Sequence, residues 1–213
     1  AQAAPLVRLR ASAMQEAVPV GTGAMAAILG LDAAKVIAGC AEVTAAMAAN
    51  GANNMEIVEA VNFNDPAQTV IAGSKAAVEK ACEVLKAAGA KRALPLPVSA
   101  PFHSSLMKPA AEKLRAALAQ TVLAAPHIPV LNNVDVAVQQ DADAIRDALY
   151  HQAFGPVRWV ECVQALKARG ITHLIECGPG KVLAGLVRRI DAERTGAALY
   201  DPATRNEVKE LLA

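Results

Sequence analysis

Asn64-Asp65-Pro66-Ala67-Gln68-Thr69-Val70-Ile71-Ala72-Gly73-Ser74 decides the fold. Asn64-Asp65-Pro66 reads as a turn, because Asn and Asp bond back to their own backbone and Pro presets φ. Gln68 to Gly73 returns from it as a strand rich in β-branched residues, and Ser74 caps a helix running to about Ala88, with Gly89 past its end. Working backwards, Glu56 to Asn62 is the strand that enters the turn and Asn50 to Asn54 a loop. Before that, Asp32 caps a helix to about Ala49, and Ala24 to Leu29 is a buried strand. Working forwards, Arg92 to Val98 is the last strand. The order is β-α-β-β-α-β.

That order is the ferredoxin-like split βαβ unit, and it makes Ala24 to Val98 a compact subdomain. On its N-terminal side, Val7 to Ala17 has helical spacing, with Val7, Met14 and Ala17 towards one face; Pro19, Gly21 and Gly23 end it. Arg8 and Arg10 lie on this helix, and composition does not lift one above the other. On its C-terminal side comes Pro97-Val98-Ser99-Ala100-Pro101-Phe102-His103-Ser104-Ser105, stiffened by two prolines. A helix leaves it at Ser104 or Ser105 and runs to about Thr121. Further on, Ile128 to Leu131 is expected as a strand opening into Asn132-Asn133-Val134-Asp135. Asp141 to Ala153 and Val157 to Ala168 follow as helices, then Thr172 to Cys177 as a strand. Gly178-Pro179-Gly180-Lys181 is a tight turn into a helix over Val182 to Ile190, and a short strand (Ala197 to Tyr200) and a helix (Asn206 to Leu212) close the chain. This half alternates β and α, as a parallel sheet requires, but its two strands and one further short strand are too few for a sheet buried on both faces. Further strands are expected from an N-terminal segment outside these residues.

The composition excludes several classes. With 21 basic and 20 acidic residues the net charge is +1, and no basic block interleaves with aromatics, so a nucleic-acid surface is not expected. No apolar run reaches transmembrane length, so no membrane span is expected. Cys40, Cys82, Cys162 and Cys177 are widely spaced, without a C-x-x-C pair. That is neither a disulfide framework nor a metal pattern, and it suits a reducing, cytoplasmic location. Cys177, ending a strand, is the one candidate thiol nucleophile, though a small buried apolar role is the commoner one.

His103 carries the chemistry. An imidazole at a stiff strand-to-helix turn suits acid/base work near neutral pH, although a histidine near a helix start is more often a surface or capping group. Such a base suggests acyl transfer by a serine. No G-x-S-x-G turn occurs, and Ser12, Ser74, Ser99, Ser104 and Ser105 do not sit in that context. Gly178 to Lys181 fails the P-loop spacing, although a free helix N-terminus there could hold an anion. Asn132-Asn133 lies where crevices form in open α/β sheets, or serves only as turn chemistry.

Taken in order, several stretches resemble one family. They are Arg10-x-x-x-Met14-Gln15-Glu16-Ala17, Gly21-Thr22-Gly23-Ala24-Met25-Ala26, Val61-Asn62-Phe63-Asn64, Pro97 to His103, Asn132-Asn133-Val134 and Glu176-Cys177-Gly178-Pro179-Gly180-Lys181-Val182-Leu183. Together they resemble bacterial malonyl-CoA:acyl carrier protein transacylases over nearly the whole chain. The resemblance implies an α/β fold: part of an α/β-hydrolase-like parallel-sheet core (1–20 and 99–213) with an inserted ferredoxin-like subdomain (21–98). It implies a ping-pong transfer of malonyl from malonyl-CoA, through a serine, to the phosphopantetheine thiol of acyl carrier protein in fatty acid biosynthesis. No cofactor or metal is implied, and a full-length enzyme is expected to be a monomer. His103 matches the catalytic base, and Arg10 matches the arginine that binds the malonyl carboxylate. Gln152 matches the residue whose backbone carbonyl holds the histidine ring. The family's G-H-S-x-G elbow and its G-Q-G segment are not among these residues, so the chain alone is expected to be inactive and poorly soluble. Two other readings are a ferredoxin-like small-ligand or regulatory module in which His103 is structural, and an acyltransferase domain of a larger synthase. The upstream sequence discriminates them.

Overall fold

A computed structural model describes every residue except 1, 2, 52, 54 and 99. Ser99 of the proline-rich turn, Ala52 and Asn54 of the expected loop, and the first two residues therefore lie outside the described residues. The chain forms two compact units, Ala1–Arg158 and Trp159–Ala213.

The first unit contains α1 (Ala3–Gln15), β1 (Gly23–Leu29), α2 (Ala33–Ala49), β2 (Val58–Asp65), β3 (Gln68–Ser74), α3 (Lys75–Ala87) and β4 (Arg92–Pro95). A 3-10 turn (Ser105–Met107), α4 (Lys108–Ala119) and α5 (Ala142–Gln152) complete it. The sheet order is β2-β3-β1-β4, with all three pairings antiparallel, which is the ferredoxin-like arrangement expected from the element order. The caps explain the boundaries. Asp32 Oδ1 accepts from Lys35 N at 3.0 Å, and Ser74 Oγ accepts from Ala77 N at 3.3 Å.

Strand alternation buries both faces of this sheet. Ala26 and Ile28 of β1 and Ile71 of β3 pack with Val36, Cys40 and Leu85 of α2 and α3. Met25, Ala27, Val70 and Ala72 face the other way, against Leu96 and Phe102. Phe102 also packs with Met14, Leu106 and Met107, so the sheet, α1 and the start of α4 share a core residue. Leu114 and Leu118 of α4 pack with Tyr150 of α5 and Leu6 of α1.

Four of the departures from the expected elements have a clear physical cause. Val7 is 64% exposed; the inward stripe of α1 is Leu6, Arg10, Ala13 and Met14, at i, i+4, i+7 and i+8. β4 stops at Pro95 rather than Val98, because Pro95 and Pro97 have no N–H to continue a ladder. The helix after His103 starts as a 3-10 turn, with the α-helix proper only at Lys108, because Pro109 is tolerated only in a first turn. Finally, Ile128 to Leu131 is no strand. Only Leu131 bridges, to Val138, while Ile128 and Val130 are exposed. Apolar β-type sequence becomes a strand only beside a partner edge, and no partner pairs with 128–130 among the described residues.

The second unit comprises α6 (Trp159–Ala168), β5 (His173–Cys177), α7 (Val182–Ile190), β6 (Thr195–Leu199) and α8 (Pro202–Leu211). β5 and β6 pair in parallel, His173 opposite Thr195 through Cys177 opposite Leu199. α7 crosses between them so closely that a Cβ on Gly196 would lie 2.4 Å from the Ala184 carbonyl oxygen. Gly178 and Gly180 hold the preceding turn at φ 140 and 107. No helix among the described residues is long and apolar enough to cross a membrane.

Ile71 is fully buried at the centre of the sheet. Ile71→Ala is expected to destabilise the first unit by about 2–5 kcal/mol. Urea unfolding should show a lower midpoint at unchanged slope.

Candidate active site

Three separate elements converge on one glutamine. α1 carries Arg10, the proline-stiffened turn carries His103, and Gln152 ends α5. The Arg10 Nη2 donates to Gln152 Oε1 at 2.7 Å. The His103 Nδ1 lies 3.2 Å from the Gln152 carbonyl oxygen. A carbonyl only accepts, so Nδ1 carries the proton in this contact. Neutral His103 therefore presents an Nε2 lone pair, the atom a general base needs.

The turn around His103 is tightly bonded. Both the amide and the hydroxyl of Ser104 donate to the Pro101 carbonyl oxygen, at 3.3 and 2.6 Å, and Ser104 is fully buried. His103 itself sits at φ 65, in the left-handed region. That conformation is uncommon for a residue with a Cβ, and surrounding contacts must hold it. The amide of Ser105 donates to Glu59 Oε2 at 2.7 Å.

Electrostatics favour the neutral ring. Burial pushes the His103 imidazolium below its ordinary pKa, and the nearby Arg10 cation pushes the same way; the Gln152 and Gly155 backbones oppose them. Burial also lowers the Arg10 pKa. A groove of about 800 Å³ runs from His103 along α2 and β2, lined by Ile37, Cys40, Thr44, Glu59, Phe63 and Phe154.

The three residues expected from the sequence thus come together. Arg10 is separated from Arg8 by the helical stripe: Arg10 is half-buried in line with Leu6 and Met14, whereas Arg8 is exposed. The other candidates do not join them. Ser74 caps α3 and donates to Glu56 Oε2 at 2.6 Å. Cys177 is exposed at the end of β5, and burial pushes the Cys40 thiol up to about 12, far from a nucleophilic thiolate. Glu176 Oε2 accepts from Ala184 N at 2.9 Å, so the turn over 178–181 has its own carboxylate at the α7 N-terminus. Asn132 Oδ1 accepts from Val134 N at 3.0 Å, as turn chemistry does. Among the described residues no cluster of His, Cys, Asp and Glu could hold a metal. Glu59 was legible in the sequence only as a charged residue of a half-buried strand; its contact with Ser105 spans 46 residues and leaves no local signal.

His103 protonation should couple to stability. Its folded pKa is depressed, so the unfolded chain binds the proton more readily. The associated stability is present above the ordinary value of about 6.5 and is lost as pH falls towards the folded pKa. NMR titration of the ring should find the midpoint below that ordinary value, and His103→Asn should flatten this part of the stability-against-pH curve.

No protein-family model matches the chain. It is 53% identical over 211 residues to the malonyl CoA-acyl carrier protein transacylase of Escherichia coli (strain K12), covering 99% of this chain and 65% of the relative. The Bacillus subtilis (strain 168) protein of the same name is 45% identical over 198 residues, covering 93% and 60%. A crystal structure of the acyl-carrier-protein S-malonyltransferase from Burkholderia pseudomallei 1710b superposes with a TM-score of 0.90 at 63% identity, covering 97% of this chain and 64% of that one. A malonyl-transacylase solved in complex with its type II PKS acyl-carrier protein superposes at 0.92 with 50% identity, covering 99% and 65%. The chain spans about 65% of the length of the first of these relatives. By sequence and by fold, the chain is similar to the malonyl CoA-acyl carrier protein transacylases over nearly the whole of its own length.

Proposed function

We propose that these residues are the part of a malonyl-CoA:acyl carrier protein acyltransferase that supplies the general base and the acyl-carboxylate clamp. The observation that carries this reading is the meeting of Arg10, His103 and Gln152. In the proposed reaction, His103 Nε2 takes the proton from a serine hydroxyl as its oxygen attacks the malonyl thioester. The tetrahedral intermediate expels the coenzyme A thiolate, which takes that proton. The carrier protein's pantetheine thiol then gives its proton to His103 and attacks the malonyl ester, and the serine oxygen leaves, taking that proton back from His103. Arg10 has five N–H donors, and the contact with Gln152 uses one of its nitrogens, so the guanidinium can also bind the malonyl carboxylate and disfavour acetyl.

The nucleophile is the piece these 213 residues do not offer, since no G-x-S-x-G turn occurs in them. We place it, with the oxyanion hole, in the portion of the family's length that the chain does not span. The chemistry needs no metal and no organic cofactor. Cytoplasmic location, a monomeric whole protein and a place in fatty acid biosynthesis belong to the same proposal, as does the acyl carrier protein as acceptor; the neighbour solved with its carrier protein supports that last point.

Intact mass tests the reading directly. The 213-residue chain, at 22.0 kDa, should show no malonyl adduct after exposure to malonyl-CoA; a stable adduct would place the nucleophile inside these residues and overturn the proposal. In the whole protein, His103→Ala should slow malonyl transfer by about 10²–10⁴-fold. Removing a hydrogen bond to a charged group costs about 1.5–3 kcal/mol, so Arg10→Ala should reduce the preference for malonyl over acetyl by roughly 10- to 150-fold. Unchanged acyl selectivity in Arg10→Ala would remove Arg10 from the clamp.

A further inference from the structure

We propose that Glu59 is a positioning residue for the His103 base: from an outer strand of the ferredoxin-like sheet it holds the first amide after the base, while the same strand holds the segment that orients the ring. The inference rests on the acyltransferase reading of the site.

β2 is one of the two edge strands of the sheet, and it reaches both flanks of His103. On one flank, Glu59 Oε2 accepts from the Ser105 amide at 2.7 Å. That amide opens the 3-10 turn and has no partner within its own helix, so without Glu59 it would lack a fixed acceptor. On the other flank, the Phe63 amide donates to the Val157 carbonyl at 2.9 Å, and the Val157 amide donates to the Val61 carbonyl at 2.7 Å. Val157 ends the short stretch that begins at Gln152, whose carbonyl meets the His103 Nδ1, and includes Gly155, whose backbone also acts on the ring. Residues 59 to 63 of one strand therefore fix both the turn that carries the ring and the segment that orients it.

The base needs this holding. His103 lies at φ 65, a backbone state that persists only where neighbours over-determine it. Ser104 secures the preceding side through the Pro101 carbonyl. Glu59 secures the following side. The carboxylate is half-buried on the wall of the groove that ends at His103, where charge-assisted bonds to N–H groups are stronger than neutral ones. Glu59 acts on the backbone of Ser105 and so on His103 at one remove.

The test uses three substitutions, in this chain and in the whole protein. Glu59→Ala removes the acceptor. Glu59→Gln keeps a neutral acceptor of the same reach. Glu59→Asp keeps the charge one methylene short of the amide, and it stands in for Glu59→Ala if that variant does not fold. The first readout is the pair of ¹⁵N signals of the His103 ring, which report the tautomer. They should stay apart in the parent and in Glu59→Gln, and draw together in Glu59→Ala and Glu59→Asp as the Nδ1 proton loses its fixed partner. The second is turnover in the whole protein. In Glu59→Ala, kcat should fall by up to about a hundredfold, the scale of a small misplacement of a catalytic group, with KM for malonyl-CoA little changed. Parent-like ring signals in both Glu59→Ala and Glu59→Asp would overturn the proposal, as would Glu59→Gln behaving like Glu59→Ala. If the parent whole protein transfers no malonyl, the acyltransferase reading fails separately, and the ring signals still decide the role of Glu59.

Discussion

Gln152 is held from two sides, and the site depends on that double use. Its carbonyl faces the His103 Nδ1 and its side-chain oxygen takes the Arg10 guanidinium. One residue thereby sets the tautomer of a base and the position of a cation. The two settings reinforce each other, because a fixed cation beside the ring makes a second positive charge there unfavourable. Burial acts in the same direction, and the backbone carbonyl acts against both. The outcome is an imidazole held below its ordinary pKa, whose Nδ1 contact leaves Nε2 as the atom that can accept a proton.

Such a contact requires residues 142 and 49 positions apart to be placed within hydrogen-bond tolerance. The core does this placing. Alanines at positions 13, 110, 111 and 153 let α1, α4 and α5 approach closely, while Phe102, next to His103, packs with both the helical layer and the sheet. The turn that carries His103 is thus wedged between two hydrophobic clusters rather than draped over the surface. β2 adds the third side, bonding to the stretch after Gln152 and to the amide after His103. A site spread over so many elements is rigid only if the whole first unit is folded, which ties its geometry to stability more closely than a site on one loop would.

Other conspicuous stretches settle into structural roles for equally local reasons. The turn at 178–181 has Glu176 bonded to the Ala184 amide of α7, the favourable sign of charge for a helix N-terminus. The loop from Asn132 closes on itself through Asn132 N to the Ala137 carbonyl and Val136 N to the Asn132 carbonyl, holding Val136 at φ 58. Its further bond, from the Arg158 amide to the Asn133 carbonyl, braces the segment that also carries Gln152.

The sequence by itself determined what neighbours along the chain decide. Turn chemistry at Asn64-Asp65-Pro66, caps at Asp32 and Ser74, and strand alternation around Ile71 specify element order and most boundaries, and the order specifies the antiparallel sheet. The motif set singled out His103 and Arg10, and the family resemblance added Gln152. Tertiary structure decided what depends on distant partners. It turned Val7 outward and Arg10 inward, because which stripe of α1 is buried depends on α4 and α5. It left Ile128 to Leu131 without a ladder, because a strand exists only where another edge pairs with it. It brought Glu59 to Ser105 across 46 residues, a bond between a side chain and a backbone amide that no local pattern encodes.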